Sequence, residues 1–262
     1  ALAGLSIIIP AWNEEDRLPK TLDRYLPALE ARGEPFEIIV VSDGDADRTA
    51  EVARRYEPRG VRVLEFQTKL GKGGAVLTGM REARYDCVGY LDADGPIPPA
   101  ELLRLVSHLD HCDGVVASRW LRGSRVLRKE PLPNRIAGRV WNLLTRSLLF
   151  LNIRDTQCGA KFFRTSVVMP ALGAIALTNR AFDIDLLYHL NKDGLNLREV
   201  PVTWSHDPNT RMPIAKAIPI MFVSLIGVRL MNLPISHRVP QEWVQRASHL
   251  LLGETGARTN AP

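Results

Sequence analysis

The sequence predicts an α/β protein built on a mostly parallel sheet with helices over both faces. Three observations carry this. Short β-rich runs alternate with segments of helical periodicity through the first half of the chain, the spacing of right-handed βαβ units. The runs "LSIIIP" (5–10), "FEIIVV" (36–41), "VRVLEF" (61–66) and "CVGYLD" (87–92) are almost continuously apolar, as strands covered on both faces are. Polar clusters follow each run, at the strand ends where parallel sheets gather ligands.

In chain order, the helical segments between these strands fall at roughly 15–32, 47–56, 72–84 and 98–109, and "GVVASR" (114–119) reads as a fifth strand. From residue 120 the pattern changes. A basic, Pro-containing loop, "LRGSRVLRKEPLPNR" (121–135), leads to helices at 136–150 and 181–192 and a strand "LREVPVTW" (197–204). Next comes "IPIMFVSLIGVRLMNLPI" (218–235). Its length approaches that of a membrane span, but Gly227 and Arg229 interrupt it. A buried core helix is a second reading. The preferred one places 213–238 in the membrane interface with its apolar side in lipid, flanked by Arg211, Lys216, Arg229 and Arg238. The expected division is a main domain over 1–211 and a C-terminal amphipathic appendage with a frayed tail over 212–262.

Composition narrows the class. Of 262 residues, 45% are hydrophobic and 24% charged, and Lys and Arg exceed Asp and Glu by 34 to 29. That is a globular chain with a sizeable core and a net charge of +5, suited to anionic partners such as phosphates or acidic membranes. Nucleic acid is disfavoured, since no aromatic–basic platform is visible. Cys87, Cys112 and Cys158 are scattered and odd in number, which points to buried thiols rather than disulfides or zinc. No signal-peptide pattern is present. The chain opens on Ala1 rather than Met, so an upstream segment is expected.

The strand ends carry the chemistry. They are "PAWNEED" (10–16), "SDGDAD" (42–47), "TKLGKGG" (68–74) and "DADG" (92–95). Asp43, Asp45 and Asp47 could each cap a helix, but four polar clusters on one rim favour a site. Asp92 and Asp94 repel each other unless a cation sits between or beside them, and their hard oxygen donors suit Mg²⁺ or Mn²⁺ completed by substrate phosphates. "LGKGGAVLTG" (70–79) could cradle a phosphate at a helix start, or Gly73 and Gly74 could simply allow close packing. It is neither a P-loop nor a dinucleotide fingerprint.

Taken together, "SIIIPAWNEE", "VVSDGDADRT", "GKGGAVLTG", "YLDADG", "ASRWLRGS", "DTQCGAKFFR", "FDIDLL" and "VPVTW" occur in the order seen in family 2 glycosyltransferases of the GT-A fold. Over roughly residues 5 to 211 the chain resembles the polyprenyl- and dolichyl-phosphate glucosyltransferase and mannosyltransferase branch. The resemblance implies a GT-A, Rossmann-like sheet. It implies donor contacts from Pro10, Trp12, Glu14, Asp43, Lys72 and Asp92, and a metal on Asp92 and Asp94. It gives phosphate handling to Arg119, Arg135 and Arg139, and an acidic pair near the acceptor to Asp183 and Asp185. Ser42, Asp45 and Asp185 depart from the commoner Asp, Ser and Glu, and Pro96 replaces a Gln that contacts metal in some relatives.

The implied reaction moves glucose or mannose, with inversion, from UDP-glucose or GDP-mannose to polyprenyl phosphate at the cytoplasmic membrane face. A phosphate acceptor is already largely anionic, with a second pKa of about 6, so Asp94 with its metal, Lys72 and Arg119 would mainly assist the departing diphosphate. A hydroxyl acceptor would instead need Asp183 or Asp185 as base, although Asp185 also reads as a helix-surface carboxylate. The alternatives are transfer to a hydroxyl acceptor and non-catalytic nucleotide-sugar binding.

Overall fold

The computed structural model describes residues 4–128, 131–205 and 214–232. Seven strands form the main sheet: β1 (Leu5–Ala11), β2 (Phe36–Asp43), β3 (Val61–Phe66), β4 (Cys87–Leu91), β5 (Gly114–Ser118), β7 (Ala160–Arg164) and β8 (Leu197–Pro201). Their spatial order is β3-β2-β1-β4-β7-β5-β8, and only β7 runs antiparallel to its neighbours. The mostly parallel α/β architecture follows the expectation.

Apolar strands work here because successive side chains alternate faces. Ile7, Ile9, Ile38 and Val40 join one core layer, while Ile8, Ile39 and Val41 join the other. Helix α1 (Leu18–Ala31) covers the first layer with Leu18, Leu22, Tyr25, Leu26 and Leu29, the stripe expected of an amphipathic helix. Helices α2 (Thr49–Arg54), α3 (Gly71–Arg81) and α4 (Pro99–Ser107) lie close to their expected positions.

The sequence reading missed two strands. β7 was read only as part of a motif, and β6 (Arg125–Arg128) was read as loop. "LREVPVTW" is not one strand either. It leaves the main sheet after Pro201, and β9 (Thr203–Ser205) pairs with β6 in a separate two-stranded sheet. Helix α5 (Leu132–Leu149) starts four residues early, with Pro133 in its first turn, a position where the missing N–H costs nothing. A short α6 (Thr165–Val168) and α7 (Phe182–Lys192) follow.

The last helix is α8 (Ile214–Met231), within the segment expected to lie in the membrane interface. Ser224, Leu225 and Val228 are fully buried, and Leu225 and Val228 belong to the same core layer as α3 and α7. One side of α8 thus packs on the protein, while Phe222 and Leu230 are exposed. Among the described residues no helix is long and apolar enough to cross a membrane. Arg211, Arg238 and the tail lie outside the described residues.

The outward apolar stripe is on α5 instead. Leu132, Ile136, Val140 and Leu143 recur at helical spacing and are all exposed, Leu132 by 63% and Leu143 by 64%. Trp141, Asn142, Thr145 and Leu149 form the buried side of that helix.

Leu225→Ala should therefore destabilise the protein by about 2–5 kcal/mol, as truncations in packed cores do, whereas Phe222→Ala should cost little. Urea unfolding of the two variants checks this. Equal, small losses would place α8 off the core.

Candidate active site

The acidic pair stands just beyond β4. Asp92 donates its backbone N–H to the Gly159 carbonyl at 3.1 Å, and its own carbonyl accepts from Gly95 at 2.9 Å. Gly95 turns the chain with φ +56°, a conformation glycine adopts without cost. Gly159 packs so closely on Asp92 that a Cβ there would overlap the carboxylate. The Thr21 hydroxyl pins the intervening Ala93 carbonyl at 2.7 Å. Local turn geometry and the neighbouring β7 loop thus hold both carboxylates at the rim.

Lys72, on the first turn of α3, places its ammonium 2.7 Å from the Asp92 carboxylate. Burial alone would lower the Lys72 pKa, but Asp92 and Asp183 outweigh it and hold it above the ordinary value. Two half-buried carboxylates make a hard donor set. Among the described residues no cluster of three or more His, Cys, Asp or Glu could hold a metal. A divalent cation here would draw its other ligands from water and substrate phosphate, the habit of Mg²⁺.

Beneath the pair lies a buried polar network that sequence reasoning missed in part. Lys161 on β7 is fully buried, donates to the Cys158 carbonyl at 2.9 Å and sits 3.2 Å from Asp183. Tyr90 donates its hydroxyl to the same Asp183 oxygen. Burial pushes the Asp183 carboxyl up to about 7 and the Lys161 ammonium down to about 7. Asp185 is enclosed too. Its Oδ2 accepts from the Ala176 and Leu177 backbone N–H groups at 2.8 and 3.0 Å, and His189 lies 3.4 Å from Oδ1. The expectation of a helix-surface carboxylate is therefore wrong. Asp183 and Asp185 face inward from α7, and both are already bonded within the protein.

The donor-side loops are laced together. Asp45 accepts from the Asn13 N–H at 2.5 Å, Thr49 accepts from the Glu14 N–H at 2.7 Å, and Asp47 accepts from Glu15 and Thr49. Asp43 is buried and accepts the Leu70 N–H, with burial lifting its pKa against that bond. Glu14 pairs with Arg17 at 2.6 Å. Trp12 is 39% exposed, with the Lys69 ammonium 3.7 Å above its ring, next to half-buried Pro10. Gly73 and Gly74 are closely packed: a Cβ on Gly73 would press on Phe182 of α7, and the Gly74 N–H is donated to the Thr178 carbonyl at 3.0 Å.

On the basic side, Arg119 forms a two-pronged pair with buried Asp155 at 2.8 and 2.9 Å. The Asp155 N–H in turn is donated to Glu199 at 2.8 Å. Burial would raise the Asp155 pKa, but Arg119 outweighs it and holds the carboxyl below the ordinary range. Arg135 and Arg139 are exposed on α5. Arg139 lines a cavity of about 280 Å³ with Trp120, Asn142, Leu143, Arg146 and Arg154. Asp155, Gly159 and Lys161 went unassigned, although a lysine inside the apolar "AKFF" was a visible signal.

This rim and sheet are those of a sugar-transferring GT-A enzyme, and comparison with known proteins gives the family. The model of "Glycosyl transferase family 2" matches residues 6–170. A dolichyl-phosphate beta-glucosyltransferase from Drosophila melanogaster is 36% identical over 233 residues, covering 79% of this chain and 69% of that protein. An undecaprenyl-phosphate mannosyltransferase from Micrococcus luteus is 32% identical over 203 residues, covering 75% and 82%. Among solved structures, glucosyl-3-phosphoglycerate synthase of M. tuberculosis shares the fold with a TM-score of 0.63 at 19% identity, over 88% of this chain and 82% of that one. The chain is a glycosyltransferase and belongs to glycosyl transferase family 2.

The Arg119–Asp155 pair yields a prediction. Asp155→Asn removes the buried charge that holds the partly exposed Arg119 guanidinium and should cost about 1–3 kcal/mol. Because the folded-state pKa of Asp155 is depressed, the pair stabilises above the unfolded aspartate value of about 3.9 and fades as pH falls through the folded one. Urea titrations should show wild-type stability declining on acidification more steeply than that of the variant.

Proposed function

We propose that the enzyme transfers glucose or mannose, with inversion, from UDP-glucose or GDP-mannose to a polyprenyl or dolichyl phosphate. The observation that carries this is the enclosure of Asp183 and Asp185. A hydroxyl acceptor needs a base at its proton, and both carboxylates are turned inward and bonded. A phosphate monoester, with its second pKa of about 6, needs none. The Drosophila melanogaster and Micrococcus luteus relatives are named for dolichyl and undecaprenyl phosphate respectively, which supports the same acceptor class.

Asp92 and Asp94 would hold a divalent cation, Mg²⁺ or Mn²⁺. A solved relative of the fold is described in complex with Mn²⁺ and UDP. When bound, such a cation supplies positive charge for the departing nucleoside diphosphate. Lys72 adds a second charge beside Asp92, in a half-buried place where screening by water is weak. Pro10, Trp12, Glu14 and Asp43 shape the nucleoside side, with the exposed Trp12 ring available to the base. Arg135 and Arg139, exposed on α5, and Arg119, held in place by Asp155, would meet the acceptor phosphate.

Where the sequence reading assigned docking at the cytoplasmic membrane face to 213–238, we assign it to α5. Its exposed stripe lies among Arg135, Arg139 and Arg146, the combination that binds anionic interfaces. Changing Ile136, Val140 and Leu143 together to Ser should abolish sedimentation with anionic liposomes. Salt should weaken the wild-type binding, since each basic residue near the surface contributes about 1 kcal/mol. Binding that survives both would point to another anchor.

The central test is direct. Asp94→Ala and Asp92→Ala should each abolish transfer of labelled hexose to polyprenyl phosphate and remove Mn²⁺-dependent thermal stabilisation by UDP or GDP. Near-normal turnover in either variant would sink the metal assignment, and transfer to hydroxyl acceptors alone would sink the acceptor.

A further inference from the structure

The cavity beside α5 is built differently from the donor rim. Its charged lining is entirely arginine: Arg139 and Arg146 from α5 and Arg154 from the loop after it, with Trp120 and Leu143 as apolar walls. No carboxylate lines it. Among the described residues, these three arginines take part in no ion pair, whereas Arg119 nearby is matched by Asp155. The Arg146 Nε is buried with no hydrogen-bond partner. Three arginines lining one cavity with no carboxylate among them give it a positive field that favours an anion, and their forked donors suit the oxygens of a phosphate.

Size and position narrow the ligand. Small-molecule sites run from roughly 300 Å³ upward, so about 280 Å³ fits a compact headgroup. The exposed Leu143 belongs both to the cavity and to the outward stripe of α5. A ligand with its phosphate among the arginines could therefore lay an apolar chain along Val140 and Ile136. The cavity is also tied to the reaction site. Asn142 accepts from the Thr156 N–H and hydroxyl at 2.9 and 2.7 Å, and Thr156 follows Asp155 on the loop that ends at Gly159 against Asp92.

We propose that Arg139, Arg146 and Arg154 form a seat for a phosphate monoester carried on a lipid chain, with Trp120 and Leu143 closing it. The inference rests on the lipid-phosphate acceptor reading above and assigns Arg146 and Arg154 to it. The phosphate could come from the polyprenyl acceptor or from an acidic phospholipid of the same surface, and the test separates the two.

The test compares Arg146→Gln/Arg154→Gln with a control, Arg122→Gln/Arg125→Gln, which removes equal charge from exposed positions outside the cavity. Binding is measured to phosphatidylcholine vesicles carrying polyprenyl phosphate, to the same vesicles carrying phosphatidate, and to inorganic phosphate. Loss of two charge-assisted bonds should weaken lipid-phosphate binding by about tenfold or more, while the control loses far less and UDP affinity is unchanged. Loss confined to polyprenyl phosphate assigns the seat to the acceptor, and loss on both vesicles assigns it to any phosphate-monoester lipid. Equal losses in both double variants overturn the proposal as bulk charge. Inorganic phosphate bound as tightly as lipid phosphate overturns its lipid-borne part. If the Gln variant misfolds, Arg146→Lys/Arg154→Lys keeps the charge but loses the fork, and unchanged binding there overturns the seat. Failure of the wild type to glycosylate polyprenyl phosphate sinks the acceptor reading separately, because vesicle binding is read without transfer.

Discussion

The closeness of Gly159 to Asp92 is the contact on which the rest of the rim depends. It exists because β7 enters the sheet antiparallel between β4 and β5, which brings its leading loop alongside the acidic turn. From that one approach follow the clamp on Asp92 and the placement of Lys161 under Asp183. The anchoring of Asp155 on Arg119 lies a few residues upstream on the same loop. A purely parallel sheet would carry the loop to the wrong edge.

Burial then decides which charges are structural. Asp155, Asp183, Asp185 and Lys161 are all out of water, where an unmatched charge costs several kcal/mol, so each is paired or bonded. The charges left to act on a ligand are those at the rim: Asp92 and Asp94, Lys72, the partly exposed Arg119, and the arginines of α5 and the loop after it. This separation explains how an acidic pair near the acceptor in sequence terms becomes part of the interior.

The strands of the first half were legible because double-sided burial makes them continuously apolar, and the acidic pair because the motif sits at a strand end. β7 and β6 were not. "AKFF" contains a lysine and "RVLR" is mostly basic, and what makes them strands is a partner far along the chain rather than any local period. The same holds for Asp155 and Lys161, whose roles depend on burial that no local pattern encodes. For α5 the helix was legible but its orientation was not. A stripe of leucine, isoleucine and valine is normally a core face, and only the packing of Trp141, Asn142 and Thr145 shows that the helix has its other side inward.

On the docking proposed above, that outward stripe would alter how the enzyme meets its second substrate. Once Leu132, Ile136, Val140 and Leu143 rest on a bilayer, the search for an acceptor takes place in two dimensions. The relevant quantity is then molecules per unit area of membrane, and dilution of the whole suspension leaves the encounter rate on each vesicle unchanged. Diluting the acceptor with inert lipid lowers that rate directly. A helix turned inside out in this way would convert a solution catalyst into one whose kinetics are counted per surface.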